Sequence, residues 1–283
     1  MNQNTICHSI SCIGKGVHSG LDVKMILHPA PENHGIKFKR NDLNENNIIE
    51  AKFENVSHTV LNTTISNTQG IKVSTVEHVM AALWGCGIDN CLIEIDNEEV
   101  PIMDGSSEHF VFMIESAGTQ EQEAKRKFIK INKTIKVGDD KAYIEIEPAD
   151  DLSINLQINF TNQIIGKQDY AIHNQVNSFK HDLSRARTFC FEYEVEALRK
   201  KGLAKGGSLD NAIIVSQDKI LNENGLRFDD EFVRHKVLDC IGDLYLAGHI
   251  KAKVKGYCSG HKLNNELLRE VFKDQEAWHE ILS

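Results

Sequence analysis

His235 and Asp239 stand four residues apart in Glu-Phe-Val-Arg-His-Lys-Val-Leu-Asp, residues 231–239. On a helix that interval stacks an imidazole and a carboxylate on one face, as two protein ligands of one divalent ion require. Asp243 continues the stripe one turn further, and Lys236 lies beside it. Upstream, Thr75-Val76-Glu77-His78 offers a third ligand in His78, directly preceded by a carboxylate. Three protein ligands with a neighbouring carboxylate make a hydrolytic metal centre that keeps one position open for water. Each residue also has an ordinary reading. Ser74-Thr75-Val76-Glu77 fits the S-x-x-E capping box, in which the glutamate bonds back to the helix backbone. Lys236 fits an i,i+3 partner of Asp239, and His261 fits an unremarkable helix start.

The elements that must carry these residues follow from periodicity. Val76, Val79, Met80, Leu83 and Trp84 recur at helical spacing over 75–84, with Gly85 as a terminator. Over 231–247, Val233, Val237, Cys240, Ile241 and Leu244 form a buried stripe, leaving His235, Asp239 and Asp243 on a different face. Asp229 or Asp230 is the expected cap of that helix. A further helix is expected over 262–273. Leu152, Ile154, Leu156, Ile158 and Phe160 alternate with polar residues, and Ile144 and Ile146 do the same just before, which predicts strands in an antiparallel meander.

The polar stretch 119–127 marks a boundary between domains at 1–122 and 123–283. Each half reads strands, helix, strand (91–95 and 250–257), helix (107–117 and 262–273). The fold class is therefore α+β in a two-domain, pseudo-duplicated architecture, each domain a sheet packed on helices. His78 and His235 fall on corresponding helices, with the active site between the domains.

With 283 residues, 41% of them hydrophobic and 26% charged, the chain fits a soluble globular protein. A net charge of −9 argues against a general nucleic-acid binder. No apolar run reaches the ~20 residues of a membrane span. Residues 1–12 lack the basic start and apolar stretch of a signal peptide. The seven cysteines contain no C-x-x-C pair, so reduced thiols in the cytoplasm are expected.

Five segments occur in a fixed order: Thr-Val-Glu-His-Val-Met-Ala-Ala-Leu (75–83), Val-Pro-Ile-Met-Asp-Gly-Ser-Ser (100–107), Ser-Arg-Ala-Arg-Thr-Phe (184–189), the 231–246 helix, and Ser-Gly-His-Lys-Leu-Asn-Asn (259–265). Together they closely resemble the UDP-3-O-acyl-N-acetylglucosamine deacetylase (LpxC) family, zinc enzymes of lipid A synthesis in Gram-negative bacteria. The resemblance runs from Gly14-Lys15-Gly16-Val17-His18 to Gln275-Glu276-Ala277-Trp278, nearly the whole chain. It implies His78, His235 and Asp239 as ligands of Zn2+, with Fe2+ accepted by the same donors.

The resemblance further implies Glu77 as general base and Thr188 as oxyanion donor. His261 is implied as proton donor, with Asp243 orienting it, and Lys236 as a substrate contact. Phe160 is implied to pack on the nucleotide, and 191–208 to line an acyl-chain passage with Phe189, Leu198 and Leu61 nearby. The expected partner is a small UDP-linked acylated sugar, and the expected state a monomer. Two departures stand out: Cys190 where glycine is expected, and Asn159 where an acidic residue is common. Two rivals remain at this point. One is a zinc hydrolase of different substrate, the other a nucleotide-sugar binding protein with a structural metal.

Overall fold

The computed structural model describes residues 1–173 and 178–282. The first half runs β1 (Asn2–Ile6), β2 (Ile10–Lys15), β3 (Asp22–Pro29), β4 (Ile36–Arg40), β5 (Ile48–Glu50), β6 (Val56–His58), β7 (Thr64–Ser66), β8 (Lys72–Val73), α1 (Glu77–Gly85), β9 (Cys91–Ile95), α2 (Glu108–Ala117) and β10 (Thr119–Lys125). The second half runs β11 (Lys127–Ile131), β12 (Ile135–Gly138), β13 (Tyr143–Pro148), β14 (Ser153–Asn159), β15 (Lys167–His173), β16 (Phe189–Phe191), α3 (Glu192–Lys200), β17 (Ile213–Val215), α4 (Glu231–Tyr245), β18 (His249–Tyr257), α5 (His261–Lys273) and β19 (Trp278–Leu282).

The main sheet of the first half has the order β2-β3-β9-β4-β5, with β9 antiparallel to β3 and parallel to β4. The main sheet of the second half contains β12-β13-β18-β14-β15, with β18 antiparallel to β13 and parallel to β14. The orders and strand senses match position for position. In each half a helix enters the central strand and another leaves it: α1-β9-α2 and α4-β18-α5. Strand faces alternate as their sequences do. Val23, Met25 and Leu27 of β3 are buried between exposed or half-buried neighbours, and Ile154, Leu156 and Ile158 of β14 likewise.

Several expectations are corrected. β13 and β14 are not neighbours in a meander, because β18 lies between them. The parallel β14–β18 pairing comes from a strand a hundred residues later, beyond the reach of any local pattern. The polar stretch 119–127 is largely strand: β10 pairs antiparallel with β1, the Glu121 carboxylate accepting from the Asn2 amide and the Lys125 carbonyl from the Gln3 amide. Neither Asp229 nor Asp230 caps α4 with its side chain; Asp230 occupies the N-cap position, but its carboxylate pairs with Arg234 instead. Nor does α4 divide into a buried and an open face. Val233, Val237 and Cys240 are buried, and so are His235, Asp239 and Asp243.

That burial follows from position. α4 packs on α1 on one side and on β14, β15 and α5 on others, so the two helices bearing the polar motifs meet at the centre of the molecule. Gly242 permits the approach, since a Cβ there would run into the backbone of Glu77. One hydrophobic cluster spans both halves, from Met25, Phe38 and Ile93 to Val237, Ile241 and Leu268.

Candidate metal centre and active site

α1 delivers His78 at its second residue, and α4 delivers His235 and Asp239 one turn apart. Oδ1 of Asp239 lies 3.5 Å from Nε2 of His78 and 3.3 Å from Nε2 of His235. The two imidazoles stand nearly perpendicular, with ring centroids 4.9 Å apart. All three residues are 3% exposed. That Asp239 oxygen has no hydrogen-bond partner although it is buried, a costly state that a cation would relieve. Nδ1 of His235 sits 3.0 Å from the carbonyl of Ala186; donating there leaves the Nε2 lone pair for a metal. Burial lowers the His235 pKa to about 4, against the pull of Asp239, so the ring is neutral as a ligand must be. Two imidazoles and one carboxylate therefore fit a divalent transition metal. Among the described residues no other trio of His, Cys, Asp and Glu converges in this way.

Lys236 donates to Oδ2 of Asp239 at 3.0 Å. Burial works against its charge, but Asp239, Asp243 and Glu77 hold the ammonium above its ordinary pKa. Burial would also raise Asp239, yet His235 and Lys236 keep that carboxylate well below the usual range.

Glu77 is not a capping-box residue here. α1 has Val76 at its N-cap with no side-chain cap, and the Ser74 hydroxyl donates to the Glu98 carbonyl. The Glu77 carboxylate accepts instead the backbone N–H of Thr63 at 3.0 Å, and burial pushes its pKa up. His261 opens α5 with Nδ1 on Oδ2 of Asp243 at 2.8 Å, leaving only Nε2 for other chemistry. Asp243 also accepts from Asn264 at 2.8 Å and from the Thr63 hydroxyl at 2.6 Å. Burial opposes the imidazolium, but Asp243, Asp239 and Glu77 raise its pKa to about 9.

A cavity of about 840 Å³ opens over these groups. Glu77, His78, His235, Lys236, Asp239 and His261 line it, together with Thr188, Phe189, Leu61 and Leu198. Val195, Cys190, Ala212, Ile214 and Leu221 add an apolar wall, so α3 and the segment after it face the cavity through some residues. Phe160 is not on the wall either. It packs edge-on behind Phe189 at 5.9 Å and against Phe191 at 5.8 Å. Asp243 also stands behind the lining, reaching it through His261.

Three further groups shape the site that motif reading passed over. Arg187 and Glu231 form a buried bidentate pair at 2.9 and 3.1 Å, tying the segment that carries Thr188 into β16 to the start of α4. Glu99, 1% exposed, accepts the backbone N–H groups of His18 and Ser19 at 2.8 and 2.7 Å, and the Thr75 hydroxyl at 3.2 Å. Thr75, at φ 59°, is a β-branched residue in the left-handed region immediately before Val76-Glu77. Leu61 (φ 69°) and Ala204 (φ 51°) also line the cavity, so backbone strain gathers around it. Thr63 is the third group. A buried threonine in a short irregular segment carries no periodic signal, and its partners lie far away in sequence.

The chain matches the family LpxC, UDP-3-O-acyl N-acetylglycosamine deacetylase, over residues 3–273. A protein of Teredinibacter turnerae named UDP-3-O-acyl-N-acetylglucosamine deacetylase is 48% identical over 281 residues, 98% of this chain and 92% of its own length. Proteins of the same name from Haemophilus influenzae and Idiomarina loihiensis are 47% and 46% identical, again over 98% of this chain and 92% of theirs.

Proposed function

The chain belongs to the UDP-3-O-acyl-N-acetylglucosamine deacetylase family, and we propose that His78, His235 and Asp239 hold its catalytic metal beside an acid–base pair of Glu77 and His261. It is a deacetylase of lipid A biosynthesis, releasing acetate and a free amine from UDP-3-O-acyl-N-acetylglucosamine. The observation that carries the residue assignment is the convergence of α1 and α4 on one buried His/His/Asp trio, within hydrogen-bonding networks that hold Glu77 and His261.

When bound, a divalent ion supplies Lewis-acid polarisation of the acetyl carbonyl and makes water nucleophilic near neutral pH; zinc is our assignment, and iron(II) suits the same donors. Glu77 takes the proton of the attacking water, and its raised pKa makes it a stronger base than an exposed carboxylate. The Thr188 hydroxyl and the Lys236 ammonium face the charge that develops on the carbonyl oxygen. His261, protonated at neutral pH, gives the Nε2 proton to the departing sugar nitrogen while Asp243 holds its ring. The wall containing Phe189, Leu61 and Leu198 receives the acyl chain, and Cys190 narrows it relative to a glycine. Phe160, half-buried beyond that wall, is left for the nucleotide.

Matched sheet topology supports a reading as two domains, 1–122 and 123–283, with the site between them. All seven cysteines are free, which supports the cytoplasm, and no described helix is long and apolar enough to cross a membrane. Replacing Glu77 by alanine is expected to lower turnover by about 10²–10⁴-fold while metal content and folding persist. Near-normal acetate release by that variant would sink the base assignment.

A further inference from the structure

Thr63 lies between β6 and β7, outside the named motifs, and is 2% exposed. Its backbone N–H donates to Oε2 of Glu77 at 3.0 Å, and its hydroxyl donates to Oδ1 of Asp243 at 2.6 Å. Its carbonyl accepts the N–H of Val76 at 3.2 Å, at the start of α1. One residue of the first half thus touches the base directly and also touches, 180 positions along the chain, the carboxylate that holds His261. Resting on the acid–base assignment above, we propose that Thr63 is a positioning residue for the reaction, locking Glu77 and the Asp243–His261 pair into one frame.

The chemistry of Asp243 explains why a hydroxyl is needed. Oδ2 serves two donors, Nδ1 of His261 and Nδ2 of Asn264, both at 2.8 Å. Oδ1 serves the Thr63 hydroxyl. The carboxyl torsion is intrinsically broad, so a donor on each oxygen is what fixes its plane, and with it the ring of His261. Without the hydroxyl, Oδ1 is buried without that donor and the carboxylate can turn. A hydroxyl also orients Asp243 without neutralising it, as a lysine or arginine would, so its full charge still acts on the imidazolium. The β-branch of threonine restricts χ1 and holds the hydroxyl on target. Because the bond to Glu77 comes from the backbone, side-chain substitution removes the Asp243 arm alone.

The test is steady-state deacetylation by the full, metal-loaded chain carrying Thr63→Val or Thr63→Ser, each alone and with Asp243→Ala. Thr63→Val is expected to lower kcat by about 10- to 100-fold with KM unchanged, and Thr63→Ser to recover most of it. In the Asp243→Ala background Thr63→Val should add nothing. An unchanged kcat in Thr63→Val overturns the proposal, as does an equal loss with and without Asp243, which is what a purely structural tie between the halves predicts. If Thr63→Val does not fold, Thr63→Ala takes its place, read through the His261 Nδ1–H proton by NMR. Loss of its exchange protection supports the proposal and an unaltered signal overturns it. Glu77→Ala and His261→Ala are measured alongside. Near-normal turnover in either would instead overturn the acid–base assignment itself.

Discussion

Two histidine–aspartate pairs have their histidines at the start of β18 and just beyond its end, and they behave oppositely. His261 and Asp243 are 10% and 3% exposed by side chain, with Nδ1 and Oδ2 2.8 Å apart. His249 and Asp89 are 11% and 10% exposed, with Nε2 and Oδ1 3.2 Å apart. Burial works against the charged ring in both. In the first pair Asp243 overcomes it and lifts His261 to about 9, while in the second His249 stays below its ordinary value. The difference lies in the charges around each ring: Asp239 and Glu77 join Asp243 in favouring a charged His261, whereas His249 has Asp89 alone and a cation beside it. Asp89 is gripped by Arg126 through two bonds of 2.8 and 2.7 Å, and the guanidinium opposes a charge on His249. Asp243 is held by the hydroxyl of Thr63 and the amide of Asn264, which orient it and leave its charge intact. A His–Asp contact is thus a proton donor in one setting and a structural tie in the other, and the charges around it decide which.

Removing the carboxylates should separate these roles most sharply. Asp243→Ala deprives His261 of its anion and orientation, and is expected to lower kcat by about 10²–10⁴-fold in a folded protein. Asp89→Ala should leave kcat per folded molecule near normal. It strands Arg126 in the interior, however, and should cost about 3 kcal/mol or more in a urea melt. If both variants lost activity alike, the contrast would collapse. Arg126→Met is the converse intervention. It is expected to move the His249 pKa upward, towards the behaviour of His261, in an NMR titration; a fall would contradict the role given to the guanidinium.

The smallest effects are in the pH dependence, where the two pairs have opposite signs. His261 is raised from 6.5 to about 9, so the stability it contributes is whole below about pH 6.5 and is lost as pH rises through about 9. His249 is lowered, so its contribution is whole above about pH 6.5 and is lost as pH falls below that value. Melting curves across pH should therefore flatten on the alkaline side in His261→Gln and on the acid side in His249→Gln. In the intact enzyme, kcat/KM should also fall as pH rises through about 9, as His261 loses its proton.

The sequence made one of the two pairs visible. His235, Asp239 and Asp243 share a helix, where a period of 3.6 turns spacing into geometry, and His261 sits at a motif-marked helix start. Glu77 was ambiguous because a capping box and a catalytic carboxylate look alike locally; the Thr63 N–H, 14 residues back, and the Glu98 carbonyl that takes the Ser74 hydroxyl separate them. Thr63 itself, Glu99 and the Arg187–Glu231 pair were not legible, since their partners are distant and their segments are too short to carry a period. The repeated strand–helix–strand–helix pattern was visible in both halves. The insertion of β18 between β13 and β14 was not, because strand order is set by long-range pairing and not by alternation.

The central claim, that α1 and α4 together hold a single catalytic metal in one buried site, is tested most directly by metal reconstitution. Protein stripped by a chelator would be titrated with zinc while acetate release from UDP-3-O-acyl-N-acetylglucosamine is followed. Activity should be absent at the start and rise to a plateau at about one ion per chain, and His78→Ala should lose both the tight site and the activity. Full activity in the stripped protein, or a His78→Ala variant that still binds one ion tightly and turns over normally, would contradict the account.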